Sequence, residues 1–453
     1  MKKLIIRGIL VTAFVFLTMW GVSGLGDLKM FSAFDPISVA LGEFELTDYV
    51  FSTFREQPTP DRRIVLVNIG QATRREIAQT VSIITEHKPK VIGIDSFFDC
   101  EGGLYDTINC PQLLDTLGNL MLGAAIQQAG NVVMVSRLMQ TDSLFKTDAG
   151  HVFDSTEYSD AIFSDYAKNA FANLPTGDRD GNNSATYQED VKICKYVVPR
   201  MKVKGKEVLA FSVQMAMLYD SVKTQRFLNR GNFDEVINFR GNINISDVRV
   251  KSYREQMTSV SEFNSLCFAI DWIPFTENNY DPSIFENSIV ILGYLGDYFG
   301  DPAWEDKFFT PLNSKVAGRA NPDMFGPVIH ANIVAMILNE DYIDEIPFWV
   351  QVIIALVVCF LNVLLFMRLE VKLPLLYDGL SFVIQIVELL LVALIIIYVF
   401  AFFNYKLELS LTMAALALIG PCFDIFKGIE NTYINRLTSK DKEVLTTQNA
   451  EIS

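Results

Sequence analysis

Three long apolar stretches near the carboxyl end constrain the fold of this chain more than any other feature. They are Phe348–Met367, Leu380–Phe403 and Leu409–Phe426, and the polar connectors between them are short. Each is roughly 18 to 24 residues long, which is enough for an α-helix to cross about 30 Å of hydrocarbon. Because a soluble fold does not bury three such stretches so close together, we predict three transmembrane helices over residues 347–426.

A fourth apolar stretch, Gly8–Leu25, lies near the amino terminus behind three basic residues. It is long for the core of a signal peptide, and no clear A-x-A-like cleavage site follows it. We therefore predict a retained first span over residues 1–25. The small residues of Gly21–Gly26 leave cleavage open as an alternative.

The basic residues beside these stretches predict the orientation of the chain, because loops rich in Lys and Arg stay in the cytoplasm. Four spans with both termini inside satisfy the positions of Lys2, Lys3, Arg7, Arg368, Lys372, Lys427, Arg436, Lys440 and Lys442. Residues 26–346 are then an exported domain, and residues 427–453 form a short cytoplasmic tail. This layout suits the inner membrane of a Gram-negative bacterium, with the large domain in the periplasm.

The chain carries a net charge of −15. This acidic balance argues against nucleic acid as a partner and against a surface that seeks anionic lipid. The apolar stretches require the lipid bilayer as a partner. The sequence leaves open whether the protein forms a homo- or hetero-oligomer.

Short apolar runs rich in β-branched residues alternate with helical periodicity between the first and second spans. We predict buried strands at Ile64–Ile69, Val91–Asp95, Asn131–Val135, Glu235–Phe239 and Ser288–Tyr294. The predicted helices are Ala72–His87, Leu113–Ala129, Lys206–Asn229 and Val328–Asn339. Strands that alternate with helices indicate an α/β domain with a mainly parallel sheet.

Ligands of such sheets favour the crevice beyond the carboxyl ends of the strands. Polar side chains follow several predicted strands or lie on the closing loop and the last helix: Asn68, Asp95, Arg240, Asp297, Asp301, Asp306, Thr310, His330 and Asn332. If they converge, they form a polar ligand site. The alternative is that they hold loops and helix ends by hydrogen bonds. We recognise no catalytic Ser, Cys or Lys arrangement, and we predict neither an enzyme nor a cofactor.

One acidic loop has part of the pattern of a calcium-binding loop. Four of its residues fall at positions 1, 3, 5 and 12 of that pattern: Asp178, Asp180, Asn182 and Glu189. Asn183 replaces the usual Gly at position 6, and Pro175 prevents a long entering helix. A solvated acidic turn is therefore the favoured interpretation, and metal binding stays open.

Four cysteines lie in the exported region, where disulfides can form. Cys100 and Cys110 flank a short loop and are candidates for a local bridge. Cys194 with Cys267 is the remaining even pairing. Four reduced, buried thiols are the alternative.

Three polar residues interrupt the second and third spans at a similar depth: Asn362, Gln385 and Glu388. Gln385 and Glu388 are three residues apart and so share a helix face. A carboxyl in hydrocarbon is costly unless it faces protein. We therefore expect Asn362 to bond Gln385 or a protonated Glu388 and to pin the two helices. Docking of a partner span on Glu388 is the alternative.

Seven motifs follow one another in an order found in a known family. They are LTDYVFSTFR, DRRIVLVNIG, VIGIDSFF, NLPTGDRDG, INFRG, DKFFTPL and GPVIHANIVAMIL. Together they resemble the second type of the CHASE family, the cyclase- and histidine-kinase-associated sensory extracellular domain. The three apolar stretches after the last motif match the usual layout of that family. Asn68 departs from it, since the family commonly has Asp there.

The resemblance implies a sensor of an extracytoplasmic cue. Members of the family usually continue into a cyclase or a kinase, and the residues after Phe426 carry no motif of these enzymes. We therefore expect the signal to pass to a separate membrane or cytoplasmic protein. The alternative is a non-catalytic structural or scaffold subunit of an envelope complex. A sensor should gain stability from a small ligand, whereas a scaffold should copurify with fixed partners.

Overall fold

A computed structural model describes residues 2–26, 46–54, 59–99, 114–141, 144, 152–176, 193–243, 262–263, 266–301, 306–313 and 321–450. Two predictions fall outside them, namely the bridge between Cys100 and Cys110 and the calcium loop with Asp178, Asp180, Asn182 and Glu189. The chain divides into two compact units. One comprises residues 51–343, and the other comprises residues 1–50 and 344–453.

The described strands are, in chain order, β1 Asp61–Asn68, β2 Val91–Asp95, β3 Val132–Met139, β4 Ser155–Tyr158, β5 Lys168–Phe171, β6 Tyr196–Val197, β7 Arg200–Val203, β8 Lys206–Leu209, β9 Glu235–Val236, β10 Glu262–Phe263, β11 Cys267–Asp271, β12 Ile289–Gly293, β13 Lys307–Phe308, β14 Met324–Phe325, β15 Asp344–Glu345 and β16 Tyr405–Lys406. The longer helices are α1 Lys2–Gly26, α2 Arg74–Glu86, α3 Thr116–Ala129, α4 Phe211–Tyr219, α5 Ser221–Leu228, α6 Gly326–Asn339, α7 Phe348–Lys372, α8 Tyr377–Phe403 and α9 Ser410–Ala450.

The main sheet belongs to the unit of residues 51–343. Its strand order among the described residues is β10–β11–β1–β12–β2–β3–β4, and β5 also pairs with β3. Strands β11, β1, β12, β2 and β3 are parallel to one another. The antiparallel strands β10 and β4 lie at the two ends. The predicted α/β class with a mainly parallel sheet is therefore confirmed.

Alternate side chains of the central strands pack against helices on opposite faces of the sheet. On one face, Val65, Ile92 and Val290 join α2 and α3 in one buried apolar cluster. On the other face, Gly93 lets α4 approach closely. A Cβ at Gly93 would clash with the side chains of Met215 and Phe211, which would have to shift to admit a larger residue.

Two predicted elements differ from the structure. The predicted helix Lys206–Asn229 begins as strand β8, which pairs with β7 around a turn where Lys204 and Gly205 have positive φ. It is then divided at Asp220, which ends α4 and caps α5. The predicted strand Glu235–Phe239 is reduced to β9, which pairs with β6 outside the main sheet.

The unit of residues 1–50 and 344–453 contains four helices long and apolar enough to cross a membrane. These stretches are Lys2–Gly21, Phe348–Lys372, Tyr377–Phe403 and Ser410–Thr432, which confirms the four predicted apolar spans. Helices α1, α7 and α9 share a buried cluster of apolar side chains. At one end of α7 and α8, the short strands β15 and β16 pair in parallel.

Candidate ligand site at the carboxyl edge of the sheet

Four residues lie in one row where the parallel strands end. Asp271 of β11 is the register partner of Asn68 on β1, Asn68 is the partner of Gly293 on β12, and Gly293 is the partner of Asp95 on β2. Each strand is an apolar run that stops at this row. The row therefore brings polar side chains from three strands, β11, β1 and β2, to one edge, where parallel sheets commonly bind ligands.

Asn68 occupies the middle of this row and uses its whole amide group. Its nitrogen donates to Asp271 Oδ2 at 3.2 Å and to the carbonyl of Gly296 at 3.0 Å. Its oxygen accepts the backbone N–H groups of Gly70 at 3.0 Å and Leu295 at 2.8 Å. A fully buried amide with four partners holds the loops after β1 and β12 and has no group left for a ligand.

Asp95 differs from Asn68 because its carboxyl has no hydrogen bond to any described residue. His330 lies beside it, with 4.0 Å between Asp95 Oδ2 and the ring Nε2. Its side chain keeps 17% of its surface exposed. Burial, with a smaller contribution from the charge of Asp306, raises the pKa of Asp95 to about 7. This carboxyl therefore changes its charge near neutral pH.

His330 lies in the second turn of α6, with its side chain only 4% exposed. Its ring packs edge-on against Phe211 of α4, with ring centroids 5.2 Å apart. Burial lowers the pKa of His330 to about 3, so the imidazole is neutral at physiological pH. Among the described residues, its Nδ1 has no hydrogen-bond partner. Buried polar groups are usually satisfied, so this exception requires an explanation.

Two glycines shape the space around Asp95. A Cβ at Gly293 would lie 2.5 Å from Cγ of Pro327, so this glycine lets the first turn of α6 rest on the end of β12. A Cβ at Gly326 would instead lie 3.8 Å from Asp95 Oδ2 and 3.9 Å from the ring of Phe308. Gly326 therefore leaves room in front of the carboxyl, with an aromatic ring beside it.

The other candidate residues have partners within the protein. Thr310 bonds both carboxyl oxygens of Asp323, through its N–H at 2.9 Å and its hydroxyl at 2.6 Å. Asn332 accepts the N–H of Arg240 at 2.8 Å and donates to the carbonyl of Gly241 at 3.0 Å.

Three charged members of the predicted set, Arg240, Asp297 and Asp301, are engaged as well. Arg240 forms an ion pair with Asp341 at 3.3 Å, and because β9 lies outside the main sheet, it does not follow a strand of this edge. Asp297 accepts the hydroxyl of Tyr294 at 3.1 Å and the amide of Gln71 at 2.7 Å. Asp301 accepts the N–H of Asp297 at 3.0 Å. Asp306 is exposed, has φ of +62°, and faces Asp95 electrostatically.

Sequence reasoning missed three residues near this edge. Asp271 ends β11 in the run CFAID, which has the same form as VIGID at β2, so its pattern was available. Asp323 and Phe308 have no such signal, because they reach this region through the antiparallel pair β13–β14. Among the described residues, no group of three or more His, Cys, Asp and Glu side chains is arranged to hold a metal ion.

The predicted bridge between Cys194 and Cys267 is wrong. Both thiols are free and buried. Cys267 begins β11 in the main sheet, whereas Cys194 donates its N–H to Phe309 and lies beside β6. Burial raises the pKa of Cys194 to about 12 and raises that of Cys267 further. Protonated, enclosed thiols of this kind behave as small apolar residues.

The polar residues of the membrane helices lie in two contacts. Asn362 on α7 lies beside the carboxyl of Glu388 on α8, while Oδ1 of Asn362 and Oε2 of Glu388 have no hydrogen-bond partner among the described residues. Gln385 donates instead to the carbonyl of Leu416 on α9 at 2.8 Å. Gly420 makes this possible, since a Cβ there would lie 2.8 Å from the amide oxygen of Gln385.

Among the described residues, four helices are long and apolar enough to cross a membrane, and a mainly parallel α/β sheet has Asp95 and His330 at its edge. These features define a multi-pass membrane protein with a receptor-like domain. Comparison with family models gives a match to the CHASE2 domain over residues 22–366. The chain therefore belongs to the CHASE2 family of extracellular sensory domains, which confirms the resemblance of its motifs. Neither the curated proteins nor the solved structures gave a match to this chain.

Proposed function

We propose that this protein is a membrane sensor that detects an extracytoplasmic cue at Asp95 and His330 and relays it to a separate protein. One observation carries the proposal. Asp95 and His330 Nε2 face each other at 4.0 Å without a hydrogen bond, while Asn68, Thr310 and Asn332 of the same region are bonded within the protein. A ligand that bonds this carboxyl and this ring nitrogen would supply the partner that the described residues do not.

Helix α6 is the element suited to carry the signal. His330 lies near its amino end, and Asn339 at its carboxyl end donates to Asp61 Oδ2 at 3.0 Å. Asp61 begins β1, so α6 runs the length of the sheet from the ligand edge to the opposite edge. A buried, closely packed helix moves as a unit, and a ligand at one end displaces the other. Only residues 340–343 separate α6 from β15, which leads directly into α7.

The distribution of basic residues supports the topology in which the sheet domain lies in the periplasm and both termini lie in the cytoplasm. Arg7 of α1 pairs with Glu430 of α9 at 2.8 Å, and Lys427 pairs with Glu370 at 2.5 Å. These ion pairs mark one end of the spans, where the positive-inside rule places the cytoplasm. The backbone of α9 continues as a helix beyond Thr432 to Ala450.

The test is gentle-detergent purification of the full chain from its native host, with quantitative mass spectrometry of the proteins that copurify. The wild type is compared with Asp95→Asn and with Asp281→Asn. Asp281 is exposed and lies on the segment that enters β12 from its amino end, so it serves as the matched control. A copurifying kinase, cyclase or other regulator whose amount changes in Asp95→Asn alone would support the sensor.

The opposite result is a fixed set of envelope proteins, at the same stoichiometry in all three samples and without a signalling enzyme. That result would make the protein a structural subunit and would reject the relay.

A further inference from the structure

We infer that the edge formed by Asp95, Asp306 and His330 binds a small organic ammonium ion, that is, a protonated primary amine. The inference rests on the proposed sensory role and gives it a ligand class. The site consists of two carboxyl groups, one neutral imidazole and one aromatic ring.

None of the described residues places a positive charge beside Asp95. Asp306 faces it with a second negative charge, and His330 is neutral because it is buried. Lys307, the neighbour of Asp306 in the chain, is directed elsewhere. Its ammonium donates to the carbonyl of Asp301 at 2.7 Å and lies 4.7 Å from the ring centre of Phe325. A cationic ligand therefore supplies the positive charge that pairs with these carboxylates.

The spacing of the acceptors suits an N–H donor. Asp95 Oδ2 and His330 Nε2 are 4.0 Å apart, too far to bond each other. A nitrogen between them lies within about 2.9 Å of both, which is the ordinary length of a charge-assisted hydrogen bond. With its proton on Nδ1, the neutral imidazole presents Nε2 as an acceptor. An ammonium group can donate to the carboxylate and to the imidazole together.

The residues around this space limit the size and the chemistry of the remainder of the ligand. The missing side chain at Gly326 opens the space in front of Asp95, and the Phe308 ring stands beside that space. An aromatic ring tolerates a cation and its alkyl group. At Gly293 and Pro327, β12 and the first turn of α6 meet without room for a Cβ, so an amine with a small substituent is the appropriate probe.

The experiment uses the full-length protein in lipid nanodiscs and follows its thermal unfolding midpoint in phosphate buffer, which contains no amine. The probe is methylammonium chloride. Tetramethylammonium chloride and sodium chloride at equal concentration are the controls, because tetramethylammonium has the same charge but no N–H group. We expect methylammonium alone to raise the midpoint by a few degrees. Its apparent affinity should rise roughly tenfold from pH 6 to pH 8, because the carboxylate must be ionised to accept the bond.

Three variants separate the site from general effects of salt. Asp95→Asn should lose at least tenfold in methylammonium affinity. Asp306→Asn should lose a few-fold and serves as the second test if Asp95→Asn does not fold, because Asp306 is exposed and Asn tolerates its positive φ. Asp281→Asn should bind like the wild type.

Equal stabilisation by all three salts, or an unchanged response in both site variants, would overturn the ammonium site. So would a midpoint that follows pH but no cation, since the site would then bind only protons. If methylammonium fails while Asp95→Asn still alters partner copurification, the ligand class is wrong and the sensory role stands. If both fail, the sensory role fails as well.

Discussion

Asn68 and Asp271 share a buried hydrogen bond between neighbouring parallel strands, with 3.2 Å between Nδ2 and Oδ2. The two residues are register partners, and both have no exposed surface. Burial raises the pKa of Asp271 to about 6, and the bond from Asn68 partly opposes that rise. Asn68 is therefore the donor that this buried carboxyl requires.

We predict that Asn68→Asp destabilises the protein by about 2–4 kcal/mol at pH 8, and by less at pH 5. The variant keeps an acceptor for Gly70 and Leu295 but sets two carboxyls side by side. Buried acids with raised pKa values bind more protons when folded, so the cost grows as pH rises through those values. Thermal unfolding of wild type and variant at both pH values measures this. Asn279→Asp, at an exposed position, is the control, and equal losses in the two variants would contradict the prediction.

The strands that end at this edge could be predicted because each carries its signal in a short apolar run. Ile64–Ile69, Val91–Asp95 and Ser288–Tyr294 were found, and they form β1, β2 and β12 in the centre of the sheet. The apolar run at β11 is as short as the other three, and it contains Cys and Ala, so its sequence signal for a strand is weaker. Which runs become neighbours depends on packing across the whole domain, and strand order could not be derived from local pattern.

The candidate site could be predicted as a location but not as a set of contacts. Asp95 and His330 were both named from their places after a strand and at the start of a helix. The sequence could not show that these two side chains are left without hydrogen bonds. That outcome depends on Asn68, Thr310 and Asn332 forming their hydrogen bonds with other groups of the fold. A sequence shows which residues can bond, whereas the fold determines which bonds are made.

We predict that Asp95→Asn stabilises the ligand-free protein, and that the gain grows with pH. The folded carboxyl has a pKa of about 7 against an ordinary value of 3.8. The folded state therefore binds more protons than the unfolded state between these values, so the wild type loses stability as pH rises through this window. An Asn side chain resembles the protonated acid and avoids this loss.

The measurement is the difference in unfolding midpoint between Asp95→Asn and the wild type at pH 4, 5, 6, 7 and 8. We expect a small difference at pH 4, a rise of a few degrees by pH 7, and little further change. Asp281→Asn should give a flat difference above pH 5. A constant difference for Asp95→Asn would show that this carboxyl is not held neutral in the folded protein.

The close contact between Gly420 on α9 and Gln385 on α8 allows the packing of these two helices to be tested with a matched control. A Cβ at Gly420 would lie 2.8 Å from the amide oxygen of Gln385, closer than side chains tolerate. We predict that Gly420→Ala costs about 1–3 kcal/mol and lowers the unfolding midpoint in nanodiscs. Gly428→Ala is the control on the same helix, since no atom lies within 4 Å of a Cβ there. Its expected effect is neutral or slightly stabilising, because Ala favours helix more than Gly does.

A double variant tests the cause. Gln385→Ala removes the crowding atoms, so Gly420→Ala should cost less in that background than in the wild type. Equal costs in both backgrounds would separate the effect of Gly420 from the Gln385 contact.

The last prediction concerns the thiols Cys194 and Cys267. Both are buried with raised pKa values, and the thiolate is the form that reacts with maleimides. We expect N-ethylmaleimide to modify neither in the folded protein at pH 7, and both after denaturation without reductant, as read by peptide mass spectrometry. Ser283→Cys, at an exposed position, should react within the same exposure time and confirms that the reagent is active. A disulfide-linked peptide containing both residues in the unreduced digest would contradict the free thiols. Because a bridge would have to draw the start of β11 toward Phe309 and β6, such a peptide would also require a different path for one of these segments.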